Sequence, residues 1–381
     1  MKPFVTISRI LVGALFIFSG LVKAIDPLGL AYKMQEFFEV WAADGYFKNL
    51  MGWLNNYALG FSIFMITLEV VLGIALLIGW QKKLTSWLLF LLTLFFTFLT
   101  AFVLFSGKIR ACGCFGDCIP LTPIQTFTKD IVLTLLIIVI LFGQKYIQPL
   151  FKKMIAGVVV LLSLIAVLYL QFYVLKHLPV KDCLPFKIGN NILELRKTPA
   201  DATYDKFFYS YFYKKGTEEK EFGMDKLPDS TWTFVKQANK KLLEKGNGKV
   251  ALINDFSFTT NSGNDTTEAI LGQPGEYYLL FVKDFNKKQD KWYKDFLTFY
   301  GNKIPPVYLI TSDVKTANEI FNIPGQFKLD IFSCDGTAIK TAARVNPTLF
   351  LMKGPVIQNK WSFIDAKNLV RNLKDSIIRP L

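Results

Sequence analysis

Five apolar runs dominate the first half of this chain, at roughly Ile7–Ile25, Tyr57–Trp80, Leu84–Phe105, Ile124–Phe142 and Met154–Leu175. A bilayer crossing needs about 20 such residues, so each run is read as a membrane-spanning helix. The fourth is the least apolar, with Lys129 and Asp130 near its start, where they are expected to reach the headgroup layer. After Leu178 the apolar runs shorten and most of the charge appears, so a membrane half is joined to a water-soluble half. With 52% hydrophobic and only 19% charged residues, against a usual ~25% charged, intrinsic disorder and small disulfide-dense scaffolds are excluded. The net charge of +14 divides evenly between residues 1–176 and the remainder, and neither half carries a basic block. Nucleic acid is therefore not an expected partner.

The loops set an expected orientation. With the N-terminus in the cytoplasm, the cytoplasmic pieces hold Lys2, Arg9, Lys82, Lys83, Lys145, Lys152 and Lys153 and no acid. The opposite loops are longer and mix lysines with Asp26, Glu36, Glu39, Asp44 and Asp117, and this density difference favours N-in. Five crossings then place everything after Lys176 outside the cytoplasm, in a bacterial inner membrane with a periplasmic C-terminal region. The first run is read as a span rather than a cleaved leader, because Lys23 and Asp26 look like parts of the folded unit. Between the first two spans, Leu30, Met34, Phe37, Phe38 and Trp41 recur at helical spacing. That stretch is expected to lie in the outer interface as a cap over the bundle.

Glu69 lies about 12 residues into the second span, hence roughly 18 Å along it, and a carboxyl there should face the bundle interior, paired or protonated. Lys23, near the outer end of the first span, is expected either to snorkel outward or to take a functional role. The loop between spans three and four reads Ala111-Cys112-Gly113-Cys114-Phe115-Gly116-Asp117-Cys118. Three thiols on the non-cytoplasmic side point first to disulfide chemistry. A disulfide within Cys-x-Cys would be strained and reactive, and Gly113 and Gly116 free the backbone to present the sulfurs. A purely structural disulfide is the next reading. A metal site is disfavoured, because three thiolates leave a position open and the chain has one histidine, His177.

Phe18-Ser19-Gly20 through Lys23 and Asp26-Pro27, then Leu68-Glu69 with Gly73 and Leu76, then CGCFGD, together resemble the DoxX/MauE family of membrane proteins over about residues 4–145. Among them the resemblance is strongest to Bacteroidota members with a long C-terminal extension. It implies a four-helix membrane bundle over 1–150, with the fifth helix (151–183) as a tether. It also implies a link to quinone-coupled sulfur oxidation or to disulfide formation during methylamine dehydrogenase maturation. Under it, Cys112 and Cys114 match the family's cysteine pair and Lys23 and Glu69 its polar positions, which makes a quinone near Glu69 a candidate cofactor. Cys118 falls outside the pattern.

Residues 184–249 are expected to form a small β module, since Phe207, Tyr209, Tyr211 and Tyr213 alternate and Lys214-Lys215-Gly216-Thr217 suggests a hairpin turn. From about 250 to 381 strands and helices alternate. Strands are expected at Tyr277–Val282, Val307–Thr311, Lys328–Phe332, Thr348–Lys353 and Val356–Lys360. Helices are expected near Asp265, at Lys291–Tyr300, Val314–Phe321 and Thr337–Ala343, and after Ser362. Such an order places helices on both faces of a mixed sheet. It resembles the thioredoxin fold of the TlpA type over roughly 250–376, carried by Val345-Asn346-Pro347-Thr348-Leu349-Phe350-Leu351, which implies a cis-proline at Pro347. The departure is large: the place for Cys-x-x-Cys reads Lys283-Asp284-Phe285-Asn286-Lys287-Lys288-Gln289, so this region is no ordinary dithiol oxidoreductase.

Cys334, just before a helix, is a candidate exchangeable thiol, since a helix N-terminus favours a thiolate; a buried inert thiol is the alternative. Cys183 could pair with Cys118 and pin the outer region to the bundle, one pairing among many. The expected function is a membrane thiol/disulfide component with Cys112, Cys114 and Cys334 in exchange with a periplasmic thiol protein. The competing expectation is a non-enzymatic membrane-anchored binding platform.

Overall fold

In the computed structural model the described residues are 1–109, 113, 115–244, 246–285, 292–293, 296, 300, 305–322 and 328–366. Cys112 and Cys114 lie outside them, as do most of the helix expected at Lys291–Tyr300 and of the one after Ser362.

Five helices are long and apolar enough to cross a membrane: α1 (Lys2–Ala24), α4 (Ala58–Ile78), α5 (Lys82–Ser106), α6 (Pro123–Phe142) and α7 (Lys153–Val174). Two shorter ones, α2 (Pro27–Ala43) and α3 (Lys48–Asn56), lie between the first and second spans. Among the described residues α1 and α4 share the most extensive contact in the bundle. A methyl group at Gly73 would stand 3.0 Å from the Gly13 carbonyl oxygen, and one at Gly13 would stand 2.5 Å from the Leu77 side chain. Small residues at such positions let two backbones meet where lipid supplies no hydrophobic push. Arg9 closes the far end of this pair, donating to the Leu76 carbonyl at 2.8 Å and to that of Leu77, near the end of α4 where the carbonyls run short of helical partners.

Helix α2 starts at the Asp26 N-cap, whose carboxylate accepts from the Gly29 N–H. Leu30, Met34, Phe37 and Phe38 are buried, with Phe37 wholly so, and Ser62 of α4 donates to the Pro27 carbonyl at 2.7 Å. The stretch read as an interfacial cap packs down on the bundle. Helix α7 is more than a tether, because Gln171 donates to the Thr67 hydroxyl of α4 at 2.9 Å in a buried contact. Val160 and Ala156 pack with Ala75 and Ile78.

After α7 comes a mixed α/β region with two sheets. β1 (Lys206–Lys215) pairs antiparallel with β2 (Glu218–Gly223) and β3 (Thr233–Glu244) in the order β2-β1-β3. Gly216, at φ 61°, makes the turn between β1 and β2, a conformation glycine adopts without a steric cost. The second sheet runs β6-β5-β4-β7-β8, formed by β4 (Glu276–Val282), β5 (Val307–Thr311), β6 (Asp330–Ser333), β7 (Thr348–Lys353) and β8 (Val356–Ser362). β4, β5 and β6 are parallel, while β7 is antiparallel to both β4 and β8. Side chains alternate across the sheet with period two. Tyr277, Leu279 and Phe281 join one buried cluster with Ile270, Ile339 and Phe350; Tyr278, Leu280 and Val282 join another with Ala317, Phe321 and Phe363. Helices therefore cover both faces.

Candidate functional site

Lys23 and Glu69 form an ion pair at 2.5 Å, with side chains 2% and 5% exposed. Lys23 turns inward, and its ammonium also lies 4.7 Å from the centre of the Phe96 ring. The expectation that it snorkels is thus corrected: a carboxylate and an aromatic face within reach inside the bundle outweigh the headgroups. Glu69 lies near the end of α1. A methyl group at Gly20, four residues from the end of α1, would sit 3.5 Å from the Glu69 Cβ, which is about 6 Å of helix rise from that end.

Lys129 and Asp130 likewise depart from expectation. Asp130 is 1% exposed, paired with Lys129 and accepting from the Thr100 hydroxyl at 3.1 Å. The headgroup layer does not hold this carboxylate; a threonine on α5 and a neighbouring ammonium do. Lys129 lies 5.2 Å from the Phe115 ring, and Phe115 packs on Phe18 of α1 at 6.0 Å. Two lysine–carboxylate pairs therefore sit in the bundle, and Phe115 borders the void that Glu69, Lys129 and Asp130 line. Sequence reasoning found the first through Glu69 and missed the second; the signal was two adjacent charges inside an otherwise apolar run.

The loop itself is held from several sides. Gly113 backs onto Lys33 of α2, and Gly116 onto Val22 of α1. A disulfide joins Cys118 to Cys183, with Cα atoms 4.8 Å apart. Above the loop lies the rim of the five-stranded sheet. Arg344, buried, donates from Nε to Asp26 and from Nη2 to Asp117, each at 2.8 Å, and its guanidinium faces the Tyr32 ring at 5.5 Å. Lys283, just past β4, donates to the Arg344 carbonyl at 2.8 Å and to the Tyr32 hydroxyl at 3.3 Å. Burial, with the Arg344 charge beside it, holds Lys283 down at about 8. Burial also raises Asp26 above the usual carboxylate range, against the pull of Arg344. Close by, Asn346 accepts from the Lys283 N–H at 2.8 Å, and the Asn346–Pro347 peptide is cis. The rim read as carrying a vacant Cys-x-x-Cys position is the rim packed on the bundle.

Cys334 stands apart. It is 4% exposed in the core beside Phe256 and Ile310, and burial pushes its thiol up to about 12. The helix that follows, α11 by its chain order among helices that also include α8 (Ile192–Leu195), α9 (Thr267–Leu271) and α10 (Val314–Phe321), spans Gly336–Ala342. Its N-terminus is already capped by the anionic Asp335, which accepts from Thr337 and Ala338. The expected thiolate is not favoured there: desolvation and a neighbouring carboxylate outweigh the helix dipole.

Among the described residues the space beside Glu69 is too small for a quinone ring. The void there measures about 20 Å³, whereas small-molecule sites run to roughly 300 Å³ or more. A much larger cleft, about 820 Å³, opens between α2 and the α/β region, walled by Lys33, Glu36, Cys183, Lys187 and Lys340. Among the described residues no cluster of His, Cys, Asp and Glu is arranged to hold a metal.

Residues 1–143 match the family described as Methylamine utilisation protein MauE, and the five long apolar helices make the chain a multi-pass membrane protein. Residues 207–245, covering the three-stranded sheet, match a Domain of unknown function (DUF8463). Among curated proteins, Protein TlpB of Flavobacterium psychrophilum is similar, 31% identical over 137 residues, which is 35% of this chain and 35% of that protein. The chain thus matches about a third of the length of this relative. No solved structure matches.

Proposed function

We propose that this chain is a membrane-anchored thiol/disulfide redox component, in which the Cys112-Gly113-Cys114 loop exchanges electrons with a thiol-bearing protein outside the cytoplasm. One observation carries the reading: Phe115, just after the cysteine pair, borders the void lined by Glu69, Lys129 and Asp130, and Asp117 is gripped by Arg344. Buried, hydrogen-bonded charge of this kind is costly to keep within a bilayer and marks function by default. In the exchange, a Cys112 or Cys114 thiolate attacks a disulfide sulfur of the partner and forms a mixed disulfide. The second loop thiolate then releases the partner as a dithiol, and the loop leaves as a disulfide. The two electrons pass to the partner and no further oxidant is needed for that turnover. No step is routed through a quinone, because the void beside Glu69 is too small for its ring.

The β6-β5-β4-β7-β8 order, with β7 antiparallel beside a parallel trio, supports a thioredoxin-like ancestry for the outer region. In that reading the rim that would carry chemistry in a thioredoxin has become a clamp on the membrane loop. Thiol trapping with a membrane-impermeant reagent, before and after reduction, tests the function. Cys112 and Cys114 should change state when a partner dithiol or disulfide is supplied; thiols that stay reduced throughout overturn it.

The second reading, a binding platform, is favoured by the absence of cysteine at Lys283-Asp284-Phe285. Its contact surface would have to lie away from the rim that Arg344 and Lys283 already occupy. If Cys112 and Cys114 can both become serine without loss of function while deletion of 250–376 abolishes it, the platform is the better account.

A further inference from the structure

Thr93 of α5 is 2% exposed, and its hydroxyl has no hydrogen-bond partner among the described residues. Leaving a buried hydroxyl unsatisfied is costly, so a native structure normally supplies a partner. The hydroxyl borders the void of about 20 Å³ in the bundle. A site needs roughly 10–15 Å³ of such space, and two or more polar neighbours, to hold one water. The walls supply them: Ser19 from α1, Glu69 from α4 and Asp130 from α6 line the same void, with Phe115 of the cysteine loop as its lid. The charged groups lining this place are Glu69, Lys129 and Asp130, with Lys23 as the ion-pair partner of Glu69, so that three helices contribute two pairs.

We propose that this void is a one-water site that couples Glu69 and Asp130 into a single proton-holding station beneath the loop. The water accepts from the Thr93 hydroxyl or donates to it, and bridges the two carboxylates from opposite walls. Two lysines and two carboxylates are together neutral, so one added proton is shared between the acids through the water rather than fixed on one of them. The use of the station rests on the redox reading above. A loop thiol gives up a proton when it becomes the attacking thiolate, the station holds it, and the leaving sulfur of the partner takes it back. Electrons and protons both balance over that exchange, which leaves the loop as a disulfide.

The full chain in lipid nanodiscs, examined by infrared difference spectroscopy on acidification, tests the coupling without any thiol chemistry. A shared proton makes each acid sensitive to the other: Asp130→Asn should shift the remaining carboxyl band of Glu69, and Glu69→Gln that of Asp130. Thr93→Val should remove the band of the confined water and shift both carboxyl bands, and Thr93→Ser should restore them. Should Glu69→Gln fail to fold, the Thr93 pair and Asp130→Asn carry the test. Carboxyl bands that respond only to their own substitution, or a water band unchanged in Thr93→Val, overturn the station. If the bands behave as expected but Cys112 and Cys114 never exchange, the station stands and the redox reading is the part that fails.

Discussion

In the helix bundle Lys23 is paired with Glu69 and lies over the Phe96 ring; in the α/β region Lys360 is paired with Asp182 at 2.7 Å and lies over the Phe350 ring at 5.0 Å. Both ammonium groups are almost wholly buried, 2% and 3% exposed. Their acids differ: Glu69 is enclosed, at 5% exposure, whereas Asp182 keeps 22% of its surface open. Burial holds the Lys360 charge below the usual lysine range, with Asp182 pulling the other way. The open pair fixes the chain beside Cys183 to β8 and has a clear mechanical purpose. The enclosed pair ties α1 to α4, a job that glycine packing already does at Gly13 and Gly73. The surplus of charge in the bundle is what separates a site from a fastening.

The sharpest way to break the comparison is to remove one acid from each. Glu69→Ala strands a lysine inside the bilayer and should cost about 3–5 kcal/mol, read as a large fall in the unfolding midpoint in detergent. Replacing Lys23 and Glu69 together by Met and Leu should recover most of it. Asp182→Asn leaves Lys360 able to reach the Phe186 carbonyl at 3.4 Å and water, so a smaller loss of about 1–3 kcal/mol is expected in the same assay. Equal losses at the two sites would mean that exposure of the acid is irrelevant.

Arg344→Lys should come next. A lysine cannot reach Asp26 and Asp117 with two arms of one planar fork, so the outer region should loosen, seen as faster hydrogen exchange in α2 and at Asp117, while the bundle midpoint stays near its original value. A protected α2 in this variant would show that the disulfide and the His177–Asp365 contact at 2.7 Å suffice for docking. The last contrast is in pH. Below about 8 Lys283 is protonated whether docked or free, and the full cost of burying its charge is present. From about 8 up to its ordinary 10.5 the free lysine keeps a proton that the docked one has released, so docking strengthens as pH rises. Lys283→Met should flatten that rise when undocking by urea is followed from about pH 8 to about pH 10.

Much of this architecture is legible in the chain. The β5 and α10 spans were expected at Val307–Thr311 and Val314–Phe321, and those are their observed bounds, because short apolar runs between Asn, Asp, Gly and Pro leave little choice of end. The amphipathic spacing of Leu30, Met34 and Phe37 likewise predicts the buried face of α2. Site geometry was harder to read. Nothing local says that Lys23 points inward, since snorkelling and pairing suit the same residue equally; the decision rests with Glu69, far along the chain. Arg344 gave no signal at all, because its partners Asp26 and Asp117 are distant in sequence and ordinary in their own surroundings. Cys334 was misleading for the opposite reason: a helix start is visible in sequence, whereas the strand and ring packing that buries it is not.

The Cys118–Cys183 bond has a topological consequence. The 65-residue stretch it closes contains α6 and α7 whole, each long and apolar enough to cross a bilayer, so a chain that inserts both carries a covalent hoop threaded through the membrane. The hoop can shut only once both of those helices are in place and the outer chain has come back to meet the loop. A bonded molecule is therefore one whose insertion is finished, and a protease cut anywhere inside the hoop leaves two fragments that still travel as one until a reductant parts them.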